Sequence, residues 1–213
     1  MAGPTREFWD QRFSEGNTPW DRGETNPQLH AWLAAGAVAP CRILVPGCGT
    51  GHEAATLAAA GFDVTALDYS PEAIARTRSR LDAADLKATI VQADALAWQP
   101  GKAFDAIYEQ TCLCALYPDL WRGYADRLHG WLKPDGKLLA LFVQFLRPAA
   151  AEGRVEGPPY HCDINAMRAL FPEPRWRWPK PPYARTSHPR GLAELAVVLR
   201  RGPRPSVQPS ADA

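Results

Sequence analysis

The stretch Ile43-Leu44-Val45-Pro46-Gly47-Cys48-Gly49-Thr50-Gly51-His52-Glu53 decides the fold. An apolar run ends in alternating glycines and passes at once into an alanine-rich segment with helical spacing. This reads as a strand, a tight turn and a helix N-terminus. Glycines let the backbone turn sharply and approach a ligand closely, and a helix opening offers free N–H groups to polar atoms. The next apolar run, Phe62-Asp63-Val64-Thr65-Ala66-Leu67, ends in Asp68, which puts a carboxylate where it can accept from a ribose diol. Glycines at one strand end and an acid at the next predict an adenosine-binding edge.

Spacing separates the adenosine ligands. Dinucleotide sites use G-x-G-x-x-G, with the pyrophosphate resting on the helix N-terminus. Here Gly47, Gly49 and Gly51 follow G-x-G-x-G, so the turn closes one residue early. That form resembles the S-adenosylmethionine (SAM) loop of class I methyltransferases, whose ligand carries no phosphate. A nicotinamide-dependent oxidoreductase fits poorly, because the spacing is wrong and no Tyr-x-x-x-Lys is present.

The whole chain sets the bounds. At 213 residues it is expected to form one domain with a large core. Lys plus Arg is 24 and Asp plus Glu is 23, so no global field draws in nucleic acid or a membrane surface. No apolar run has the length of a bilayer span, and the N-terminus, with Glu7, Asp10 and Arg12, lacks a signal core. The five cysteines show no C-x-x-C pair and no zinc spacing, and read as reduced thiols of a cytoplasmic protein without a metal. Eight tryptophans are many for this length, and Trp20 sits in an unusual place, the turn-rich loop Glu15–Gly23. It reads either as part of a lid packed on the core or as a ligand contact.

Strands and helices alternate from residue 42 to residue 145. Strands are expected at 43–46, 62–68, 88–92, 104–109 and 137–145, and helices open at Asn26-Pro27, His52 and Ser70-Pro71. A further helix runs through Leu120 to Trp131. A helix from Asp163 to Phe171 and strands at 175–178 and 192–199 close the pattern. Such alternation demands parallel strands with right-handed crossovers. The expected fold is α/β: a class I methyltransferase, Rossmann-like sheet, mostly parallel with an antiparallel C-terminal strand and helices on both faces. Residues 1–6 are expected to be flexible, 7–201 to form the domain with an N-terminal lid segment at 7–34, and 202–213 to be a disordered tail.

Four strand ends converge on one edge of that sheet and bring Gly47–Gly51, Asp68-Tyr69, Asp94-Ala95 and Tyr108-Glu109 together. Asp68 reads as the ribose acceptor or as a cap for the helix at Pro71. Asp94 reads as an acceptor from an adenine amino group, with the Ala95 backbone beside it, or as a plain strand-end turn. Glu109 reads as the partner of a methionine ammonium or as a salt-bridged acid.

These segments resemble the thiopurine methyltransferase superfamily, in particular its branch of plant and bacterial thiol/halide methyltransferases. The resemblance rests on Thr18-Pro19-Trp20-Asp21-Arg22-Gly23, Leu44–Glu53 and Ala66-Leu67-Asp68-Tyr69-Ser70. It continues through Cys114-Ala115-Leu116-Tyr117-Pro118, Trp131–Gly136 and Gly157-Pro158-Pro159-Tyr160. It implies SAM as cofactor, S-adenosylhomocysteine (SAH) as product, and cofactor contacts at Trp9, Trp20, Gly47, Asp68, Asp94 and Glu109. It also implies that tryptophans of the N-terminal segment close over the SAM carboxylate and sulfonium, where a cation–π contact is the physical reason. Tyr160 matches a tyrosine lining the acceptor pocket, with Tyr108 and Gln110 as further candidates and no catalytic base named. The acceptor is expected to be a small soft nucleophile: a thiol, bisulfide, a halide or a thiopurine. A monomer without a nucleic-acid partner is expected, although the run Arg175, Arg177, Lys180, Arg185 and Arg190 leaves an RNA methyltransferase as an alternative, and a SAM binder without turnover is another. The chain departs from its relatives at Phe13, where a tryptophan is common, and at Glu109-Gln110, which replaces an Asp-Tyr pair.

Overall fold

The computed structural model describes residues 3–188 and 191–202. Along the chain lie α1 (Arg6–Ser14), α2 (Pro27–Ala34), β1 (Arg42–Pro46), α3 (His52–Ala59), β2 (Asp63–Asp68), α4 (Pro71–Ala83) and β3 (Thr89–Gln92). They are followed by β4 (Phe104–Gln110), α5 (Cys112–Ala115), α6 (Trp121–Trp131), β5 (Leu132–Gln144), α7 (Ile164–Leu170), β6 (Trp176–Arg177), β7 (Ala184–Ser187) and β8 (Ala193–Arg201). The sheet order is β3-β2-β1-β4-β5-β8-β6, with β7 paired to β8 on the side. β1 to β5 pair in parallel, and β8 runs antiparallel to β5 from Lys137↔Arg200 to Gln144↔Ala193. The expected mostly parallel sheet with an antiparallel C-terminal strand is the one observed.

Local chemistry starts the helices. Asn26 accepts from Gln28 N at 2.9 Å with Pro27 in the first turn, and Ser70 accepts from Ala73 N at 3.2 Å with Pro71 behind it. Proline costs nothing there, because the first amides of a helix have no intrahelical partner. Asp163 does the same for α7, accepting from Asn165 N and Ala166 N.

The central strands are apolar on both faces, as a covered parallel sheet requires. One face carries Leu44, Ile107, Leu138, Ala140 and Phe142, packed with Tyr124, Leu128 and Trp131 of α6. The other carries Ile43, Val45, Ala106, Tyr108, Leu139 and Leu141, packed with Leu29 and Trp32 of α2 and with Leu57 of α3.

Two details differ from expectation. The Pro134-Asp135-Gly136 turn is taken up inside β5 as a bulge: β4 pairs Phe104 with Leu132 and then Ala106 with Lys137, and Asp135 has φ 61. β7 was not anticipated, because Ala184-Arg185-Thr186-Ser187 is mostly exposed and lacks an apolar alternation. Within residues 1–6, Gly3 lies against Tyr117, Thr5 accepts from Phe8 N at 3.4 Å, and α1 already begins at Arg6. The expected tail lies, from residue 203 on, outside the described residues.

Gly51 has φ 79, and a Cβ there would come within 2.7 Å of Thr77 Oγ1 and 2.9 Å of Thr77 Cα on α4. Gly61 has φ 84 with nothing within 4 Å. Gly51→Ala is expected to lower the unfolding free energy by about 2 kcal/mol or more, from backbone strain plus the clash. Gly61→Ala should cost about 1 kcal/mol, from strain alone. Urea midpoints of the two variants check both values.

Candidate active site

The order β3-β2-β1-β4 reverses direction between β1 and β4, which is where open α/β sheets leave a crevice at their carboxyl edge. A cavity of about 850 Å³ lies there, walled by the glycine loop, the ends of β2 to β4, α1 and the loop after it, and residues 155–160. Of the residues expected at the cofactor, Trp9, Trp20, Gly47, Gly49, Asp68, Tyr69, Asp94 and Ala95 line it. The acceptor candidates Tyr108, Gln110 and Tyr160 line it too.

Asp68 joins two elements. One carboxylate oxygen accepts from Gly49 N and the other from Ser70 N, each at 3.0 Å. It therefore braces the start of α4, as the capping reading expects, and it also faces the cavity. An ionised carboxylate has about four lone-pair sites, so the Gly49, Ser70 and Tyr69 amides leave it acceptor capacity. Burial pushes its pKa above the usual range, opposed by the Ser70 and Gly49 amides. Gly49 holds φ 54, and a Cβ there would meet only the Phe13 ring at 3.9 Å before entering the cavity. The open glycine backbone, the acid with spare acceptor sites and the aromatic wall above them fit an adenosine sulfonium such as SAM.

That wall is built from edge-to-face contacts. Trp9 and Trp20 stand 5.2 Å apart, and Phe13 stands 5.8 Å from Trp20. Phe13 is buried and supports Trp20 from below the loop, so its departure from the common tryptophan keeps an aromatic in place. Asp21 next to Trp20 accepts from Thr50 Oγ1 at 2.8 Å, which ties this loop to the glycine turn. Arg80 of α4 donates to Thr50 O at 2.8 Å and lies 3.1 Å from His52 Nε2. Burial and then Arg80 depress the His52 pKa, so its 3.3 Å approach to Asp21 is a contact of a neutral imidazole rather than an ion pair.

Two residues expected at the cofactor stand outside the cavity lining. Glu109 does not line the cavity. Side chains alternate along a strand, so Tyr108 and Gln110 share the cavity face, joined by a 2.7 Å hydrogen bond from the Tyr108 hydroxyl to Gln110 Oε1. Glu109 points the other way, is buried, and accepts from Leu113 N at 2.7 Å at the start of α5. Gly51 also stays out of the cavity, packing instead on Thr77.

The structure adds residues that the sequence reading left unassigned: Arg22, Tyr117, Arg147 and His188 line the same cavity. Arg22 donates to Ser187 O and lies 3.8 Å from the buried Glu194, which also accepts from Asn26 Nδ2 at 3.2 Å. Their positions in loops and at a strand end carry no periodic signal. Of the basic run near the C-terminus, Arg175 pairs with Asp126 at 2.8 Å and Arg177 pairs with Asp135, while Arg190 lies outside the described residues. No helix among the described residues is long and apolar enough to cross a membrane.

A family model described as thiopurine S-methyltransferase (TPMT) matches residues 4–181. The chain belongs to the thiopurine S-methyltransferase family. Thiocyanate methyltransferase 1 of Arabidopsis thaliana is 30% identical to this family member over 165 residues, which cover 76% of this chain and 70% of the plant protein. A solved structure described as "Conversion of a Disulfide Bond into a Thioacetal Group during Echinomycin Biosynthesis" has TM-score 0.75 and 27% identity, covering 92% of this chain and 93% of that one. The 1,6-didemethyltoxoflavin-N1-methyltransferase of Burkholderia thailandensis, with bound 1,6-didemethyltoxoflavin and S-adenosylhomocysteine, shares the fold at TM-score 0.73 and 19% identity, covering 93% and 87%. This TPMT-family chain is a SAM-dependent methyltransferase with a Rossmann-like class I fold.

Burial pushes Glu109 up to about 7, against the pull of the Leu113 and Cys112 amides. Between its ordinary value of 4.5 and about 7, only the folded protein holds the proton, so stability falls as pH rises through that window. The full loss is about 3 kcal/mol. Glu194, also raised to about 7, acts with the same sign. Glu109→Gln is expected to reduce the decline of melting temperature between pH 5 and pH 8, as measured by thermal unfolding across that range.

Proposed function

We propose that the chain moves the methyl group of SAM to a small soft nucleophile, a thiol, bisulfide, a halide or a thiopurine, by in-line displacement. The observation that carries this reading is the character of the cavity beyond the glycine loop. Tyr108, Tyr117 and Tyr160 line it with Gln110, and Tyr117 and Tyr160 stand edge-to-face at 5.7 Å. Burial raises the phenols of Tyr108 and Tyr160 and the thiols of Cys112 and Cys114, so each keeps its proton at neutral pH. None of these four is an anionic base or nucleophile. An acceptor that already carries a reactive lone pair suits such walls; one that must first lose a tightly held proton does not.

When bound, SAM supplies a methyl group on a positively charged sulfur, already activated for displacement. The work left to the protein is alignment and exclusion of water, which can contribute ~7–11 kcal/mol. In this reading Asp68 accepts from the ribose, Asp94 and Ala95 hold the adenine, and Trp9 and Trp20 face the sulfonium. Tyr69 flanks Asp68, while Tyr108, Gln110 and Tyr160 shape the acceptor side. A thiocyanate methyltransferase among the relatives and the family's thiopurine name both lie within this acceptor class.

The test uses purified protein and methyl-labelled SAM, with iodide, bisulfide, thiophenol and a thiopurine offered separately. Label in the headspace with iodide or bisulfide, or in an organic extract with the aromatic thiols, is the expected result. Bound SAM with no labelled product from any of them would overturn the acceptor class. Trp20→Ala is expected to raise the KM for SAM roughly 5- to 30-fold, the size of a desolvated cation–π contact. Asp68→Ala should weaken SAH binding by about tenfold or more, as loss of a charged hydrogen-bond acceptor does. Isothermal titration with SAH and initial-rate kinetics measure the two effects.

A further inference from the structure

We propose that Arg147 is the residue that selects an anionic acceptor: its guanidinium lines the acceptor end of the cavity and supplies the charge that holds the nucleophile beside Tyr160. This rests on the proposed methyl transfer to a soft nucleophile and names the subclass that the site favours.

Arg147 lies three residues past the end of β5 and opens the segment that leads back to Tyr160. Its Nη2 donates to Pro158 O at 3.0 Å, two residues before that tyrosine, and its guanidinium lies 4.9 Å from the Phe145 ring centre. These contacts hold the head group against the cavity wall. Its Nε is buried and has no hydrogen-bond partner. A buried N–H left without an acceptor is costly, and more so on a charged group.

The local acids do not supply the missing partner. Residues 147–156 contain two arginines and two glutamates, and both glutamates go to Arg154: Glu152 at 2.6 Å and Glu156 at 3.6 Å. Among the described residues no carboxylate lies within ion-pair distance of Arg147. The charge of Arg147 does reach Tyr160, whose hydroxyl it pulls down while burial pushes it up. An acceptor bringing one negative charge neutralises the guanidinium that lines the cavity and meets aromatic walls that favour a large, weakly hydrated ion.

The chemistry balances without a base. The lone pair of the anion forms the new bond to the methyl carbon as the carbon–sulfur bond breaks. The electron pair of that bond goes to sulfur, the charges cancel, and two neutral products leave. No proton moves, in keeping with the protonated phenols around the site.

The test reads anion binding apart from turnover. Thiocyanate and iodide are titrated into the SAH-loaded protein at constant ionic strength, following tryptophan fluorescence, for the wild type, Arg147→Met and Arg147→Gln. Thiocyanate turnover with SAM is measured in parallel. The expected result is saturable anion binding to the wild type and a Kd raised roughly tenfold or more in both neutral variants, with SAH affinity within about twofold. SAH affinity and melting temperature identify a variant that has lost the fold, and the other variant then decides. An unchanged anion Kd in a folded neutral variant overturns the assignment of Arg147 even if the enzyme turns thiocyanate over. Failure of the wild type to bind either anion overturns it as well. Anion binding that depends on Arg147 without methyl transfer to any soft nucleophile would sustain the inference while removing the proposed reaction.

Discussion

The site depends on the carboxylate of Asp68, which accepts from Gly49 and from Ser70 and so fastens the glycine turn to the start of α4. Cys48 N bonds Leu67 O at 3.0 Å one residue before, continuing the β1–β2 ladder into the loop. Glycines with left-handed φ have no intrinsic preference for one shape, and an acid at the neighbouring strand end gives the loop one. The same carboxylate lines the cavity, so the group that stabilises the turn is also part of the cavity wall.

Around that anchor, polar contacts tie the N-terminal segment to the sheet. Asp21 holds Thr50, the backbone N–H of Asn26 donates to Glu53 at 3.0 Å, and Arg22 and Asn26 meet Glu194 of β8. Glu194 is fully buried and its pKa is lifted to about 7 by burial, which Arg22 and Asn26 partly offset. One partner of such a cluster cannot be removed cheaply, because the others are left unpaired in a dry environment. The aromatic wall of Trp9, Phe13 and Trp20 is therefore carried on a segment attached at several points, rather than resting on apolar contact alone.

Much of the fold was legible because its signals are local. Pro27 after Asn26, Pro71 after Ser70, Gly61 after an alanine helix and apolar strands bounded by turns each act within a few residues. Their helices and strands stand within one or two residues of expectation. Asp68 was legible for the same reason, as an acid that ends an apolar strand. Glu109 was not. In a strand apolar on both faces, periodicity does not say which parity looks toward the ligand, and the covered sheet made Glu109 and Gln110 equivalent on paper. The β5 bulge at Asp135 and the exposed β7 were illegible because pairing with a distant strand, not their own composition, defines them.

The sequence by itself determined a strand–helix alternation, a glycine turn without phosphate spacing and an acid at the next strand end. Those features follow from backbone conformational limits and short-range capping, which act between neighbours. Only the tertiary structure decided which side chains face the cavity, that Glu109 caps α5, and that Arg154 takes both glutamates while Arg147 turns toward Tyr160. Each of those outcomes compares contacts between segments far apart in the chain, and the desolvation that sets their strength exists only after the sheet has closed over its two cores.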